Sequence, residues 1–189
     1  MAKIGLTNIW WANLTETEDG APTYDGAKSF GKAVSCKVSV TNNDATLYAE
    51  DALAESDKSF NSASVTLGVA DDDDTVFAPI LGHTVIDGDS GKGEMVRNAN
   101  DVAPYVGLGR VITKMVNGAL KYKAEFLYKV KFSEPSQEDQ TKGEKVDFET
   151  PEIEGSAAQL MNGDWSAAQT FDTKDAAVTW VKGKLQAAS

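Results

Sequence analysis

The sequence predicts a mainly β protein: an antiparallel sandwich or barrel with one short flanking helix and a C-terminal helix. Three observations predict it. Apolar and polar residues alternate with period two over several stretches, the pattern of strands with one covered face. Two Asn-Gly pairs, Asn117-Gly118 and Asn162-Gly163, sit between apolar runs and read as type I′ hairpins, because that turn needs positive φ at both central residues. Helical signals appear at only two places, so the count is about eight or nine strands and two helices. A chain of 189 residues suits one domain, 1–189, with room for a sizeable core.

The elements follow in order. GLTNIWWANLT reads as an N-terminal strand with Trp10 and Trp11 on opposite faces. Val34, Cys36, Val38 and Val40 share one face of the next strand, which makes Cys36 a small buried hydrophobe. A long acidic link spans 41–60, where Leu47, Tyr48 and Leu53 give it something to dock with. Ala63, Val65, Leu67 and Val69 form another strand face. DDDDTVFAPILGH, from Asp71, reads as an acid-capped helix ending at Gly82 and kept short by Pro79. Residues 122–132 form the longest alternation, with Tyr122, Ala124, Phe126, Tyr128, Val130 and Phe132 on one face. Lys121, Lys123, Glu125, Lys129 and Lys131 lie opposite, where they also protect a strand edge from random pairing. A polar arm, 133–144, separates this strand from its expected partner, 145–150, whose Lys145, Asp147 and Glu149 would face those lysines. Pro151 then signals a bulge or an edge. The last helix takes Asp172 or Thr173 as N-cap and shows Val178, Val181 and Leu185 on one face.

Charge narrows the function. The net charge is −11, and it is uneven: residues 1–75 carry thirteen acids against five lysines, a net of −8. Such a chain is poorly suited to gripping nucleic acid or an anionic membrane, both of which need clustered Lys and Arg. A single cysteine fits a reducing compartment, and the N-terminus lacks the apolar stretch of a secretory signal, so synthesis in the cytoplasm is expected.

Motifs for catalysis or ligand binding are weak. His83, the one histidine, reads as a polar group near a helix C-terminus, with no GxSxG nearby. DGDSGKGE (87–94) starts like a calcium loop, but Gly91 stands where an acid ligand belongs and Asn98 where Glu would close the site. The Asp71 to Asp74 run is a helix-capping charge, and YVGLGR lacks the spacing of a phosphate loop. Neither catalytic residues, cofactor nor metal are expected, and the tryptophans Trp10, Trp11, Trp165 and Trp180 read as packing rather than a sugar platform.

The segments GLTNIWWANLT, LYAED, ILGHT, DVAPYVGLG and YKVKFSEPSQEDQTKGEKVDFETPEIEG, in this order, resemble the major tail proteins, or tail tube proteins, of long-tailed non-contractile bacteriophages and prophages. The resemblance covers about residues 4–180 and is most specific where a LYK-x-KF segment leads to a PxxxxQTKG turn and a strand ending in ETP. It implies two packed antiparallel sheets closed into a barrel-like sandwich. It also implies six copies per ring, rings stacked into a tube, and inner sheets joined across subunits. The tube would assemble in the host cytoplasm around a tape-measure protein, between tail initiator and terminator proteins, and would later pass double-stranded DNA. No added immunoglobulin-like domain is expected. The arms suggest ring contacts at Leu47, Tyr48, Glu50, Asp51, Leu53, Pro135, Gln140 and Lys142, ordered on assembly. Glu50, Asp51, Glu55, Asp57, Asp147 and Glu149 are candidates for a lumen wall that repels phosphate, since six copies at −11 put −66 on a ring. Rival expectations are the tube of a contractile or secretion device and a monomeric β-sandwich that binds glycans.

Overall fold

Alternation of apolar residues produces strands, and the long ones order the rest. The computed structural model describes residues 2–17, 21–49, 52–70, 74–86, 93–135 and 150–186. Within them a nine-stranded antiparallel sheet carries the fold. Its path runs from β2 (Pro22–Tyr24) through β1 (Ala2–Glu16), β10 (Val106–Val116), β11 (Ala119–Phe132), β12 (Glu152–Ala158) and β7 (Phe60–Val69) to β4 (Ala33–Asn42). Off this path β3 (Lys28–Ser29) pairs with β1, and β13 (Ser166–Phe171) with β11. Among the described residues, thirteen strands exceed the expected number because seven of them are short, two to six residues each.

The sheet folds over on itself as a sandwich. Its inner core holds Ile9, Trp11, Phe30, Val65, Leu67, Val106, Leu108, Val130, Phe132 and Ile153, closed by Phe77, Ile80 and Leu81 of α1 (Asp74–Leu81). A second core lies on the opposite face of β1, β10 and β11. There Ala12, Tyr24, Val111, Ala124 and Phe126 meet Ala177, Val181 and Leu185 of α2 (Lys174–Lys184). Trp10 and Trp11 split between these cores, as their adjacent positions in one strand require. Thr173 caps α2 by accepting from Ala176 N at 3.3 Å. The α1 helix stays short, and Gly82 ends it at φ +81°, with His83 N donating back to Ala78 O at 2.8 Å.

The β10–β11 hairpin turns through Asn117 (φ 49°) and Gly118 (φ 80°), the tight turn expected. Three other expectations fail. The row from Tyr122 to Phe132 does not share one face, because a bulge between the Val106/Val130 and Leu108/Leu127 pairs reverses the alternation. Ala124 and Phe126 therefore face α2, while Val130 and Phe132 face the sandwich. Nor is β11 an edge: β10 lines one side, and β13 and β12 line the other, from Tyr122 to Val130. The expected partner strand, 145–150, falls almost wholly within residues 136–149, which lie outside the described residues. Pro151 stands just before β12, which lies between β11 and β7, and its carbonyl accepts from Val69 N at 3.0 Å.

Asn162-Gly163 is not a type I′ hairpin, since only Gly163 has positive φ (91°). β12 and β13 run in line along the same side of β11, and 159–165 is an excursion between them. That excursion stacks Trp165 on Phe60, with ring centroids 4.3 Å apart.

Candidate assembly surfaces

The described part of the acidic link 41–60 forms strands. β4 and β7 continue past the sheet into β5 (Ala45–Ala49) and β6 (Ala52–Asp57), two strands that, among the described residues, pair only with each other. At its root Asn43 N donates to Ser59 O at 2.8 Å, and Lys58 binds Asp44. The ladder sets Leu47 opposite Glu55 and Tyr48 opposite Leu53. Of the expected contact and lumen residues, Leu47, Tyr48, Leu53, Glu55 and Asp57 lie on this arm. Pro135 ends the described part of the second arm, while Glu50, Asp51, Gln140, Lys142, Asp147 and Glu149 lie outside the described residues.

β4 also presents a free ladder among the described residues. Ala70 N donates to Lys32 O and Val69 N to Pro151 O, so alternate residues of β7 face β4 and β12. The register Lys37↔Thr66 and Ser39↔Ser64 then turns the backbone groups of Cys36, Val38 and Val40 away from β7. Arg110 takes one of them: its Nη1 donates to Cys36 O at 3.0 Å. Val34 and Val40 remain exposed at the two ends of the strand.

Arg110 belongs to a network that sequence reasoning missed. It interrupts the inward row Val106, Leu108, Ile112 of β10, and its Nε donates to Glu125 Oε2 of β11 at 2.8 Å. Lys123 binds the other oxygen of the same carboxylate. Burial works to raise the Glu125 pKa, but the Lys123 hydrogen bond and the Arg110 charge outweigh it and hold it below the ordinary 4.5. Burial pushes the Cys36 thiol up, against the pull of Arg110, so Cys36 is a poor nucleophile. The signal was legible in principle, as a lone Arg in an apolar row, directly across from an acid.

A second network surrounds His83 at the root of the polar arm. Its Nδ1 lies 2.7 Å from Asp101 Oδ2 and its Nε2 contacts Glu134, which also neighbours Arg97. This is more than a helix-end polar group: it ties the segment after α1 to the 97–105 segment and to the end of β11. The His83 hydrogen bond, then the Asn98 N–H, hold Asp101 below its ordinary pKa.

DVAPYVGLG has a packing role. A Cβ on Gly107 would meet the Tyr24 ring at 2.5 Å, and one on Gly109 would overlap Val181 of α2. These glycines let a side chain and a helix approach the sheet. Among the described residues, no group of three or more His, Cys, Asp or Glu is placed to hold a metal ion. No described helix is long and apolar enough to cross a membrane. A comparison with protein-family models found no match, and neither did a search of curated proteins.

Proposed function

We propose that this chain is a structural virion protein, the tail tube subunit of a long-tailed non-contractile bacteriophage or prophage. Six copies form a ring and rings stack into a tube that holds the tape-measure protein and passes DNA at ejection. One observation carries the reading: among the described residues, the sandwich offers a ten-residue strand with a free side, next to a hairpin that pairs with nothing but itself. Such features add nothing to a monomer, and both are templates for another copy. Ring closure needs two different edges, one on each side of a subunit. The outer side of β1 ahead of its pairing with β3 is the second, since the described pairs on that side begin at Trp10.

The acids have a role in the same reading. A negative bore wall gives passing phosphate no counterion release and no local trap. Only lumen-facing acids count, because screening acts over about 8 Å at physiological salt.

Electron microscopy of concentrated protein tests the proposal. Rings of six or hollow tubes are the expected result. A monomer at every concentration, by light scattering and by microscopy, would overturn it and favour a free-standing binding module.

A further inference from the structure

In this acidic protein, three lysines stand in a row across the sheet. The register places Lys3 of β1 opposite Lys114 of β10, and Lys114 opposite Lys121 of β11. Three cations thus share one face at one level of three adjacent strands. Like charges directly opposite each other destabilise a sheet. Lys123, one turn of the pleat away, adds a fourth, and its charge together with burial lowers the Lys114 pKa. Internal partners cover only part of this charge. Lys121 binds Asp172, and Lys123 shares Glu125 with Arg110. Lys3 and Lys114 make no salt bridge among the described residues, and the charge of Glu125 offsets only part of the burial and the Lys123 repulsion at Lys114.

The complementary element is in the same chain. Residues 44–57, which form the β5–β6 hairpin and its approach, carry Asp44, Glu50, Asp51, Glu55 and Asp57 and no base. Among the described residues the hairpin makes no ladder with the main sheet, and its five- and six-residue strands are about 15–20 Å long.

We propose that the Lys3–Lys114–Lys121 row is the receptor for the acidic β5–β6 hairpin of a second copy. The inference rests on the tube reading for its setting and names the contact that setting lacks. Opposed charges steer and orient the encounter, and the acidic hairpin offsets the repulsion that the free subunit carries. The hairpin acids then belong to a contact rather than to the bore. Duplex DNA is the other polyanion such a row fits. The hairpin is favoured because a protein of net charge −11 repels DNA at long range, while the hairpin is present at the concentration of the protein itself.

The test uses full-length protein. Equal parts of nitrogen-14 and nitrogen-15 chains are treated with a zero-length carbodiimide, and amide crosslinks between differently labelled copies are mapped by mass spectrometry. Crosslinks from Lys3 or Lys114 to the 50–57 acids are expected. Lys3→Glu/Lys114→Glu and Glu55→Lys/Asp57→Lys should each raise the concentration needed for assembly at least about tenfold, and combining all four should restore it to within about threefold. Circular dichroism confirms that each variant folds. Rings or tubes without those crosslinks, or a four-fold variant no better than either pair, overturn the receptor and leave the tube reading standing. Crosslinked dimers that never close into rings sink the tube reading and keep the receptor. Wild-type assembly of Lys3→Glu/Lys114→Glu with loss of duplex retention assigns the row to phosphate and ends the proposal.

Discussion

Arg110 shows what one charged residue does inside a sheet. Its guanidinium joins Glu125 on the neighbouring strand and the Cys36 carbonyl on the far layer, so it pins the sandwich where the apolar core gives out. Both side chains are largely covered, 14% and 19% exposed. Removing one partner of a covered pair strands the other, so Arg110→Met should cost roughly 2 kcal/mol, below the 3–5 of a fully buried pair. A urea titration checks this; Arg110→Lys should recover less than half, since it keeps the charge and loses the fork. The acids make a pH prediction of known sign. Glu125, Glu16 and Asp101 all sit below their ordinary values, Glu16 chiefly through the Lys129 hydrogen bond. A depressed carboxylate stabilises fully above the unfolded-state pKa, about 4, and that contribution is lost as pH falls through the lower folded value. Thermal melts should therefore decline steeply below about pH 4, and Glu125→Gln should flatten part of that slope. An unchanged slope would mean Glu125 is not held by its partners. None of these partnerships was readable from alternation alone. It sorted Lys123 and Glu125 onto an outer face, because nothing local told which face of β11 the sandwich would cover.

At the scale of elements, what the sequence made plain was what local chemistry decides. The Asn117-Gly118 turn, the Gly82 stop and the Thr173 cap depend on neighbours in the chain, and all stand where they were read. What failed depended on distant strands. The β11 bulge is set by its pairing with β10, and the in-line arrangement of β12 and β13 follows from their sharing one side of β11. The glycines of YVGLG look like a loop in one dimension and are contact points in three. Gly109 faces Val181 across the second core, so Gly109→Ala should cost about 1–3 kcal/mol by forcing α2 outward. Adding Val181→Ala to it should return part of the loss, a non-additivity that thermal denaturation of the four proteins would reveal. Strict additivity would mean the helix does not press on the sheet at that point. The β5–β6 arm yields another expectation. It lacks a ladder to the main sheet, so limited proteolysis of free protein should cut within 44–58 first, and assembled particles should resist that cut. Equal cleavage in both forms would separate the arm from assembly.

At the scale of the whole molecule, the question is why the chain leaves a long strand unpaired on one side among the described residues. Exposed edges invite random pairing, and lysines are a common safeguard. The safeguard was expected on 121–131, but that strand is interior, and of its lysines Lys121 joins a cross-strand row instead, while Lys129 binds Glu16. β4 itself carries one lysine, the exposed Lys37 at mid-strand, whose backbone faces β7, and exposed Val34 and Val40 near its ends. Arg110 covers the ladder at Cys36 only, so Val38 and Val40 keep backbone groups directed outward. A proline at Val40 would delete an outward N–H while sparing the ladder to β7. Val40→Pro should therefore stay folded, losing no more than about 1 kcal/mol, yet raise the concentration at which rings form by about tenfold or more. Val40→Lys, which keeps the N–H and adds a charge, should have a weaker effect that fades as salt is raised. Sedimentation velocity over a concentration series separates the cases. If both variants assemble as the parent does, the free side of β4 is not where subunits join, and ring closure has to run through the arms alone.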